Sequence, residues 1–225
     1  MFASVYIAIE GVIGVGKTTL ARLLQPAFQA ALLLEVFEEN PFLSDFYADR
    51  ERYAFQTQIF FLLSRYQQQR RAVPDILAKG QNLISDYTFD KDSLFARINL
   101  RGDELEMYYR VHEALAEKIP QPDLIVYLQA ETDVLMHRIT MRDRSYERNM
   151  SREYIDELNH TYRSYFGERS SERGRPSAPV LTIDTDHIDY VHSVNHLKLV
   201  ENRIRQALGL APFQTELPLE FGVEG

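Results

Sequence analysis

The chain has 225 residues, of which 45% are hydrophobic and 26% charged, and its formal net charge is −8 at pH 7. These proportions are those of a soluble globular protein, and they exclude a disordered tail, a collagen-like repeat and a coiled coil. The acidic balance argues against wrapping of a nucleic acid backbone, which requires a basic face. Cysteine is absent, which excludes a disulfide framework, a thiolate zinc site and a cysteine nucleophile.

The N-terminal sequence MFASVYIAIEG resembles no targeting segment. It lacks the basic start and long apolar stretch of a secretory signal, and it lacks the arginine-rich composition of a transit peptide. No apolar run reaches the roughly 18–20 residues that a membrane-spanning helix needs. The sequence therefore predicts a cytoplasmic protein that binds neither membranes nor nucleic acids and whose ligands are small molecules.

Short apolar runs alternate along the chain with segments of helical periodicity. The predicted strands are 5–10, 32–36, 82–85, 124–128 and 180–183. A helix is predicted from Lys17, and Pro26 should end or kink it. Further helices are predicted within 40–71, 91–100, 103–118, 132–141, 151–169 and 193–208. In the first of these segments, one stripe of large side chains is interpreted as core packing: Phe55, Ile59, Phe60 and Leu63.

This alternation predicts an α/β fold with a five-stranded parallel sheet and helices on both of its faces. The segment 170–179 is rich in Ser, Arg, Pro and Gly and is predicted to be a loop. No linker is long enough to separate two domains. Residues 1–209 are therefore predicted to form a single domain, followed by an irregular tail over 210–225.

The strongest motif is a glycine-rich loop between the first predicted strand and the first predicted helix. Residues 11–18, GVIGVGKT, match the pattern G-x-x-x-x-G-K-[ST] without a gap. Glycines allow backbone N–H groups to turn toward phosphate oxygens, and the helix N-terminus adds the positive end of its dipole. The motif predicts binding of a nucleoside triphosphate, with Lys17 on the β- and γ-phosphates and Thr18 on Mg²⁺. The predicted phosphate-binding residues of this loop are Gly11, Gly14, Val15, Gly16, Lys17, Thr18 and Thr19.

Two acids follow predicted strands, at the sheet edge where open α/β folds bind ligands. Glu35 ends the run LLLE, and Asp86 follows NLIS. An acid at this edge can accept a proton from an attacking hydroxyl, or it can hold Mg²⁺ directly or through water. Glu38 and Glu39 lie close enough to Glu35 to compete for the first role. For either acid, a solvated carboxylate at the end of a strand is the alternative.

A cluster of arginines ends the predicted helix 132–141 and enters the turn after it: Arg138, Arg142, Arg144 and Arg148. Arginines on a mobile segment over a site neutralise charge on a transferring phosphoryl group. The alternative is a solvated basic face paired with Glu147 and Asp143. The position of the cluster after the fourth strand of a phosphate-loop protein favours the first interpretation.

Four segments in chain order resemble the deoxyribonucleoside kinase family: IEGVIGVGKTT, LLLEVFEENPFLSDFY, QIFFLLSRYQQQ and MRDRSYE. Within the family, the sequence looks most like bacterial deoxyguanosine kinases, with deoxyadenosine kinases as near neighbours. The resemblance implies a phosphate-loop kinase fold with an arginine-rich lid at about 138–150. It implies phosphorylation of the 5′-hydroxyl of a purine deoxynucleoside by ATP and Mg²⁺ in nucleotide salvage. Deoxyguanosine is favoured as the substrate, and the alternative is deoxyadenosine, alone or together with deoxycytidine. The resemblance also implies a homodimer, or a heterodimer with a related kinase.

The resemblance assigns roles residue by residue. Glu35 matches the base that accepts the proton of the 5′-hydroxyl, and Arg65 matches the arginine that steadies this acid. Gln58 and Asp92 match positions that contact the nucleobase, and Tyr47 matches the residue at the 3′-hydroxyl.

The remaining roles concern the lid, the catalytic set and the metal. The lid residues are Arg138, Arg142, Arg144 and Glu147. Lys17 and Arg144 complete the predicted catalytic set, Thr18 and Asp86 are the predicted Mg²⁺ ligands, and Asp86 also borders the substrate. Phe61, Phe95 and Tyr66 are further candidates for stacking on the base, although each is more typical of a core position. The segment 182–190 after the fifth strand is expected to border the adenine of ATP.

One position departs from the family pattern. Most members have Asp/Glu-Arg-Ser after the third strand, whereas this chain has Asp86, Tyr87 and Thr88. The charge of the missing arginine must come from elsewhere, with Arg65 and Lys91 as candidates. The bacterial deoxyguanosine kinases share this departure, so the resemblance does not imply loss of activity.

Two other functions are left open. A nucleoside monophosphate kinase, such as a thymidylate kinase, needs additional arginines around its anionic acceptor, where Arg65 is the one arginine that the pattern places. A non-catalytic phosphate-loop subunit would have lost site residues, whereas the predicted ones are present: Lys17, Thr18, Glu35, Asp86 and Arg144.

Overall fold

A computed structural model describes residues 4–36, 39–148, 150–167 and 178–212. The strands form one sheet in the order β2-β3-β1-β4-β5, and every neighbouring pair is parallel. Their bounds are β1 Tyr6–Gly11, β2 Ala30–Leu33, β3 Asn82–Ser85, β4 Leu124–Gln129 and β5 Val180–Asp184. The predicted α/β class with a five-stranded parallel sheet is confirmed.

Eight α-helices connect the strands within the described part of the chain. Their bounds are α1 Lys17–Phe28, α2 Leu43–Ala48, α3 Arg50–Ala78, α4 Lys91–Asn99, α5 Gly102–Ala116, α6 Thr132–Arg142, α7 Arg152–Tyr162 and α8 Val194–Ala207. A 3₁₀ turn, Ser145–Glu147, follows α6, and a π-helical segment, Arg163–Gly167, extends α7. None of these helices combines the length and the apolar character that crossing a membrane requires.

The sheet is buried because helices cover both of its faces. All six residues of β1 and five of the six in β4 are buried, as expected for the central strands of a parallel sheet. One cluster joins alternate residues of the sheet, such as Ile7 and Ile9, to α1, α6, α7 and α8. On the opposite face, Tyr6 and Ala8 pack with Val73 of α3. The carboxyl ends of β1, β2 and β3 consequently meet at one edge, next to the start of α1.

Several element boundaries differ from the predictions, and two of the differences have a physical cause. The second strand lies at 30–33 instead of 32–36, because Ala30 pairs with Asn82 and Leu33 with Ser85, the first and last residues of β3. The first helix continues past Pro26 to Phe28. A proline this close to the C-terminus has few turns to disrupt, and the helix closes two residues later.

The interpretation of the aromatic stripe in α3 as core is wrong at Leu63, whose side chain is 43% exposed. The buried face of this helix is largely polar, with Thr57, Gln58, Arg65 and Gln69 alongside apolar residues. Hydrophobic spacing alone did not reveal this face, and two of its polar residues, Gln58 and Arg65, line the cavity described below. Most of the predicted loop 170–179 and of the predicted tail 210–225 lies outside the described residues, so the division at residue 209 stays a prediction.

Candidate active site

A cavity of about 390 Å³ opens at the sheet edge where β1, β2 and β3 end. Elements far apart in sequence contribute to its wall: the phosphate loop, the segment after β2, α3, α4 and the turn after α6. The predicted site residues on this wall are Gly14, Lys17, Thr18, Glu35, Tyr47, Gln58, Phe61, Arg65, Asp86, Arg142, Arg144 and Glu147. The sheet topology thus brings most of the predicted site together.

The phosphate loop connects β1 directly to α1. Gly16 at the start of α1 has a φ of +103°, in the left-handed region, and no side chain caps the helix. A Cβ at this position would lie 2.6 Å from the hydroxyl oxygen of Tyr190, so only glycine fits. The uncapped N–H groups of the first turn therefore remain available to an anion.

Lys17 folds back over the phosphate loop. Its Nζ donates hydrogen bonds to the carbonyl oxygens of Gly11 at 2.8 Å and Val12 at 3.1 Å. Burial, reinforced by the positive charge of Lys91, lowers the pKa of Lys17 to about 8. The residue therefore remains mostly protonated at neutral pH, with its charge buried beside the place that the motif predicts for phosphates.

Thr18 and Asp86 bring two oxygen ligands together. The hydroxyl of Thr18 donates a hydrogen bond to Asp86 Oδ2 at 2.5 Å, and Asp86 Oδ1 accepts from the backbone N–H of Glu35 at 2.8 Å. A hydroxyl and a carboxylate are ligands of the kind that Mg²⁺ prefers, and both lie on the cavity wall. These two oxygen ligands therefore fit the Mg²⁺ that the motif predicts.

Glu35 lies between two cations. One NH2 group of Arg65 donates to Oε1, and Lys91 Nζ donates to Oε2 at 2.5 Å. Burial alone would raise the pKa of Glu35, but the charges of Lys91 and Arg65 outweigh burial and hold this pKa well below its usual range. The carboxylate is thus ionised at neutral pH, and both candidate replacements for the missing arginine contact it.

Arg65 is fixed from several sides. It forms an ion pair with Asp92, and its guanidinium carbon lies 4.5 Å from the centre of the Phe61 ring. Asp92 is fully buried behind Arg65 and is not on the cavity wall, in contrast to the predicted contact with the base. Gln58 lies seven residues before Arg65 on the same buried face of α3 and does line the cavity.

Three predicted lid residues form one group at the rim of the cavity. Arg142 NH2 donates to both carboxylate oxygens of Glu147, at 2.7 and 2.6 Å, and Arg144 NH1 lies 3.7 Å from Glu147 Oε1. Next to them, the ring of Tyr146 stacks on that of Tyr47 at a centroid distance of 6.1 Å. The group joins the turn after α6 to α2.

Arg138 does not belong to that group. Its guanidinium donates to the hydroxyl of Thr185 at 2.9 Å, to the carbonyl of Thr185 at 2.7 Å and to the carbonyl of Val15 at 3.4 Å. It lines a second cavity of about 600 Å³ on the other side of the phosphate loop, with Val15, Gly16, Thr19 and the segment 185–192. Arg148 forms an exposed ion pair with Asp143. This arginine thus matches the alternative interpretation, a solvated basic residue paired with a neighbouring acid.

Glu10 is a site-supporting residue that the sequence analysis missed. It is fully buried at the end of β1 and accepts hydrogen bonds from Thr88 N at 2.5 Å, from Gly11 N at 3.1 Å and from Tyr162 Oη at 3.3 Å. Burial raises its pKa. The acid ties the phosphate loop to the segment after β3 and to α7. An acidic residue in an otherwise apolar strand, immediately before the glycine loop, was the available signal.

Tyr87 occupies the position at which the family resemblance leads us to expect arginine. Its side chain is fully buried among apolar residues, and its hydroxyl donates to Gln68 Oε1 at 2.5 Å. An unpaired charged side chain at this position would be buried among apolar residues at a large cost in free energy. The cations that contact Glu35 come instead from α3 and α4.

Comparisons with known proteins agree with this geometry. The family model described as deoxynucleoside kinase matches residues 7–208. Deoxyguanosine kinase of Bacillus subtilis (strain 168) is 34% identical over 203 residues, which are 90% of this chain and 97% of that protein. Deoxyadenosine kinase of Dictyostelium discoideum is 34% identical over 73% of this chain and 68% of that protein. Deoxyadenosine/deoxycytidine kinase of B. subtilis is 28% identical over 90% and 92%.

Among solved structures, deoxyadenosine kinase from M. mycoides with bound dATP superposes with a TM-score of 0.74. The alignment covers 89% of this chain and 99% of that one at 24% identity, which supports the fold alone. The family match and the curated relatives together show that this chain belongs to the deoxynucleoside kinase family. It is an ATP-binding kinase of deoxynucleosides with the phosphate-loop kinase fold.

Proposed function

We propose that this protein transfers the terminal phosphate of ATP to the 5′-hydroxyl of deoxyguanosine in nucleotide salvage. The observation that carries the proposal is the position of Glu35, an ionised carboxylate on the wall of the cavity that also contains Lys17 and Thr18 of the phosphate loop. An acceptor hydroxyl held by Glu35 faces a donor phosphate held by the loop. Alignment of this kind is the main requirement of phosphoryl transfer.

The reaction uses one proton transfer and one exchange of bonds. The 5′-hydroxyl loses its proton to Glu35, a bond forms between the 5′-oxygen and the γ-phosphorus, and the bond from this phosphorus to the β,γ-bridging oxygen breaks. The products are deoxyguanosine monophosphate and ADP. Because its cationic neighbours make Glu35 a weak base, its main contribution is to orient the hydroxyl and to take the proton late.

Thr18 and Asp86 are the residues that would hold Mg²⁺. When bound, the metal would neutralise charge on the phosphates. The Asp86 carboxylate also accepts a hydrogen bond from the backbone N–H of Glu35, which fixes the position of the predicted base relative to α1.

The nucleobase is assigned to Gln58, which lines the cavity. Its amide offers one donor and one acceptor group, so it can pair with the edge of either purine. Arg65 is paired with Glu35 and Asp92, so its donors do not select the base. The proposed preference is for guanine over adenine. The similarity to deoxyguanosine kinase of B. subtilis over 90% of the chain supports the same preference.

The rim of the cavity and the second cavity complete the proposal. Tyr47 and Glu147 are assigned to the 3′-hydroxyl side of the sugar, with Arg142 and Arg144 as lid arginines over the phosphates. Arg138 and the segment 182–190 are assigned to the adenine side of ATP. The family resemblance further supports a cytoplasmic protein that acts as a dimer.

The test is phosphorylation of each of the four deoxynucleosides, and of deoxyinosine, guanosine and adenosine, by ATP and Mg²⁺, with kcat/KM as the readout. Deoxyguanosine is expected to exceed deoxyadenosine by at least about tenfold, the equivalent of one good hydrogen bond. Deoxyinosine, which keeps O6 and N7 but lacks the 2-amino group, should remain a good substrate. Gln58→Leu should lower kcat/KM for both purines, while the control Gln56→Leu, at an exposed position of the same helix, should not.

The second candidate is deoxyadenosine, and the observation in its favour is the similarity to deoxyadenosine kinases of D. discoideum and B. subtilis. A higher kcat/KM for deoxyadenosine would replace deoxyguanosine as the substrate and keep the rest of the proposal. Deoxyguanosine monophosphate is measured as a further acceptor, and product from it but not from deoxyguanosine would identify a monophosphate kinase. Absence of product from every acceptor would refute the proposed reaction.

A further inference from the structure

Both carboxylate oxygens of Glu35 are occupied in this structure. Arg65 donates to Oε1 and Lys91 donates to Oε2. Under the proposed function, on which this inference rests, one of these oxygens must accept the hydrogen of the 5′-hydroxyl. Each oxygen can accept a second hydrogen bond, but while both cations donate to it the carboxylate is a poor proton acceptor. Withdrawal of one cation frees an oxygen and makes it a better acceptor for the hydrogen of the 5′-hydroxyl.

Arg65 is the less mobile of the two cations. Its guanidinium also pairs with Asp92, which is fully buried on α4, and it packs over the ring of Phe61. Withdrawal of Arg65 would leave the Asp92 carboxylate buried beside no cation, at a large cost in free energy. Arg65 therefore stays with Glu35 and Asp92.

Lys91 has a simpler set of contacts. Within the described part of the chain, Glu35 is the partner of its ammonium, which lies 5.6 Å from the centre of the Phe95 ring. Lysine is a compact point charge on a flexible four-carbon chain, so it can exchange one anion for another without backbone movement. Lys91 is thus the cation that can move.

Lys91 also lies on the side of Glu35 where the phosphate loop would hold ATP. It lines the same cavity as Lys17 and Gly14 of the phosphate loop, and its charge is close enough to Lys17 for the two ammonium groups to repel each other. A phosphate between two ammonium groups removes that repulsion. The terminal phosphate of ATP, held by the loop, arrives at this position.

We propose that Lys91 is a catalytic residue that leaves Glu35 for the terminal phosphate of ATP when the donor binds, which frees Oε2 for the 5′-hydroxyl. During transfer its ammonium keeps its protons and neutralises charge on the moving phosphoryl group. The proton of the 5′-hydroxyl still passes to Glu35. Binding of ATP thereby prepares the site for the deoxynucleoside, and this coupling depends on the γ-phosphate.

The experiment measures the affinity of the deoxynucleoside that the wild type phosphorylates best, in the presence of ADP or of the non-hydrolysable β,γ-imido analogue of ATP. In the wild type, binding should be about tenfold tighter with the analogue than with ADP, a coupling of ordinary size. In Lys91→Gln, the two affinities should be equal, and kcat should fall by about 100- to 1,000-fold. A purely structural role would not remove the dependence on the γ-phosphate.

Two further variants complete the design. Lys118→Gln, at an exposed position, should behave as the wild type in both measurements. Lys91→Arg keeps the charge and should retain the coupling and more of kcat than Lys91→Gln. It also provides the test if Lys91→Gln does not fold, as judged by circular dichroism.

Equal wild-type affinities with the two nucleotides would overturn this inference, whatever the variants do. So would a kcat of Lys91→Gln within about threefold of the wild type. If the wild type phosphorylates its deoxynucleoside while either of these results is obtained, only the role of Lys91 fails. If the wild type forms no product with any acceptor, the proposed function fails, and the role of Lys91 fails with it.

Discussion

The hydroxyl of Thr18 donates a hydrogen bond to Asp86 Oδ2 at 2.5 Å, which joins the first turn of α1 to the end of β3. If this pair holds Mg²⁺, then Asp86→Asn should weaken the metal site with little change of shape. We expect the Mg²⁺ concentration for half-maximal activity to rise by about 10- to 100-fold. The measurement is kinase activity titrated with Mg²⁺ at saturating ATP.

The matched control for Asp86→Asn is Asp75→Asn, at an exposed position of α3, which should leave the Mg²⁺ titration unchanged. Removal of the metal by EDTA should abolish activity in all three proteins, and added Mg²⁺ should restore it. An unchanged Mg²⁺ titration in Asp86→Asn would contradict the assignment of Asp86 as a metal ligand.

Glu35→Gln should lower kcat by about 100- to 10,000-fold, the usual contribution of a general base. The amide keeps the shape of the side chain but cannot take the proton, and it no longer neutralises Arg65 and Lys91. ATP binding should change little, because the phosphate loop is unaltered. Single-turnover kinetics and ATP titration separate the two effects.

Glu39→Gln is the matched control for Glu35→Gln, because Glu39 is a neighbouring acid with an exposed side chain. Glu38, the other competing acid, lies outside the described residues. Activity of Glu35→Gln close to that of the wild type would refute the role of Glu35 and make Glu38→Gln the next variant to measure.

The sequence predicted the phosphate loop and the sheet well, because both depend on local patterns. The conformation of the loop follows from the glycine motif within residues 11–18. A buried parallel strand such as β4 is recognisable as a continuous apolar run. The second strand was misplaced by two residues, since its position depends on pairing with β3. Apolar spacing contains no information about that register.

The supporting residues of the site were harder to predict. Glu10 meets the hydroxyl of Tyr162, which is 152 positions away in the chain, so no local pattern shows the contact. Lys91 was considered only as a source of charge, and its contact with Glu35 spans 56 positions. Likewise, the buried face of α3 contains polar residues, two of which, Gln58 and Arg65, line the cavity. Apolar periodicity does not identify such a face as buried.

Gly16→Ala should weaken ATP binding while leaving the fold intact. A Cβ would lie 2.6 Å from the Tyr190 hydroxyl oxygen, and alanine at a φ of +103° is strained as well. The loop must then shift away from the geometry that presents its N–H groups. We expect the dissociation constant of ATP, measured by calorimetry, to rise by at least about tenfold.

Gly167→Ala is the control for Gly16→Ala. A Cβ at Gly167 meets nothing within 4 Å, so ATP affinity should stay at the wild-type value. Gly167→Ala should melt close to the wild-type temperature, whereas Gly16→Ala should melt a few degrees lower, because its strained backbone destabilises the folded state by about 1–2 kcal/mol. Full ATP affinity in Gly16→Ala would show that this part of the loop is not in contact with the donor.

Asp90→Asn should change the pH dependence of stability. Burial raises the pKa of Asp90 from 3.8 to about 6, partly opposed by its hydrogen bond with Tyr165. The folded state therefore binds the proton more tightly than the unfolded state. This contribution to stability is fully present below the unfolded pKa and is lost as pH rises through about 6.

The measurement is the free energy of unfolding in urea for the wild type and Asp90→Asn. Asparagine does not titrate, so the stability of the variant relative to the wild type should increase by about 1 kcal/mol from pH 5 to pH 7.5. Asp103→Asn, at an exposed position, should follow the wild type at both values. A constant difference between Asp90→Asn and the wild type would mean that the Asp90 carboxyl group has the same pKa in the folded and unfolded states.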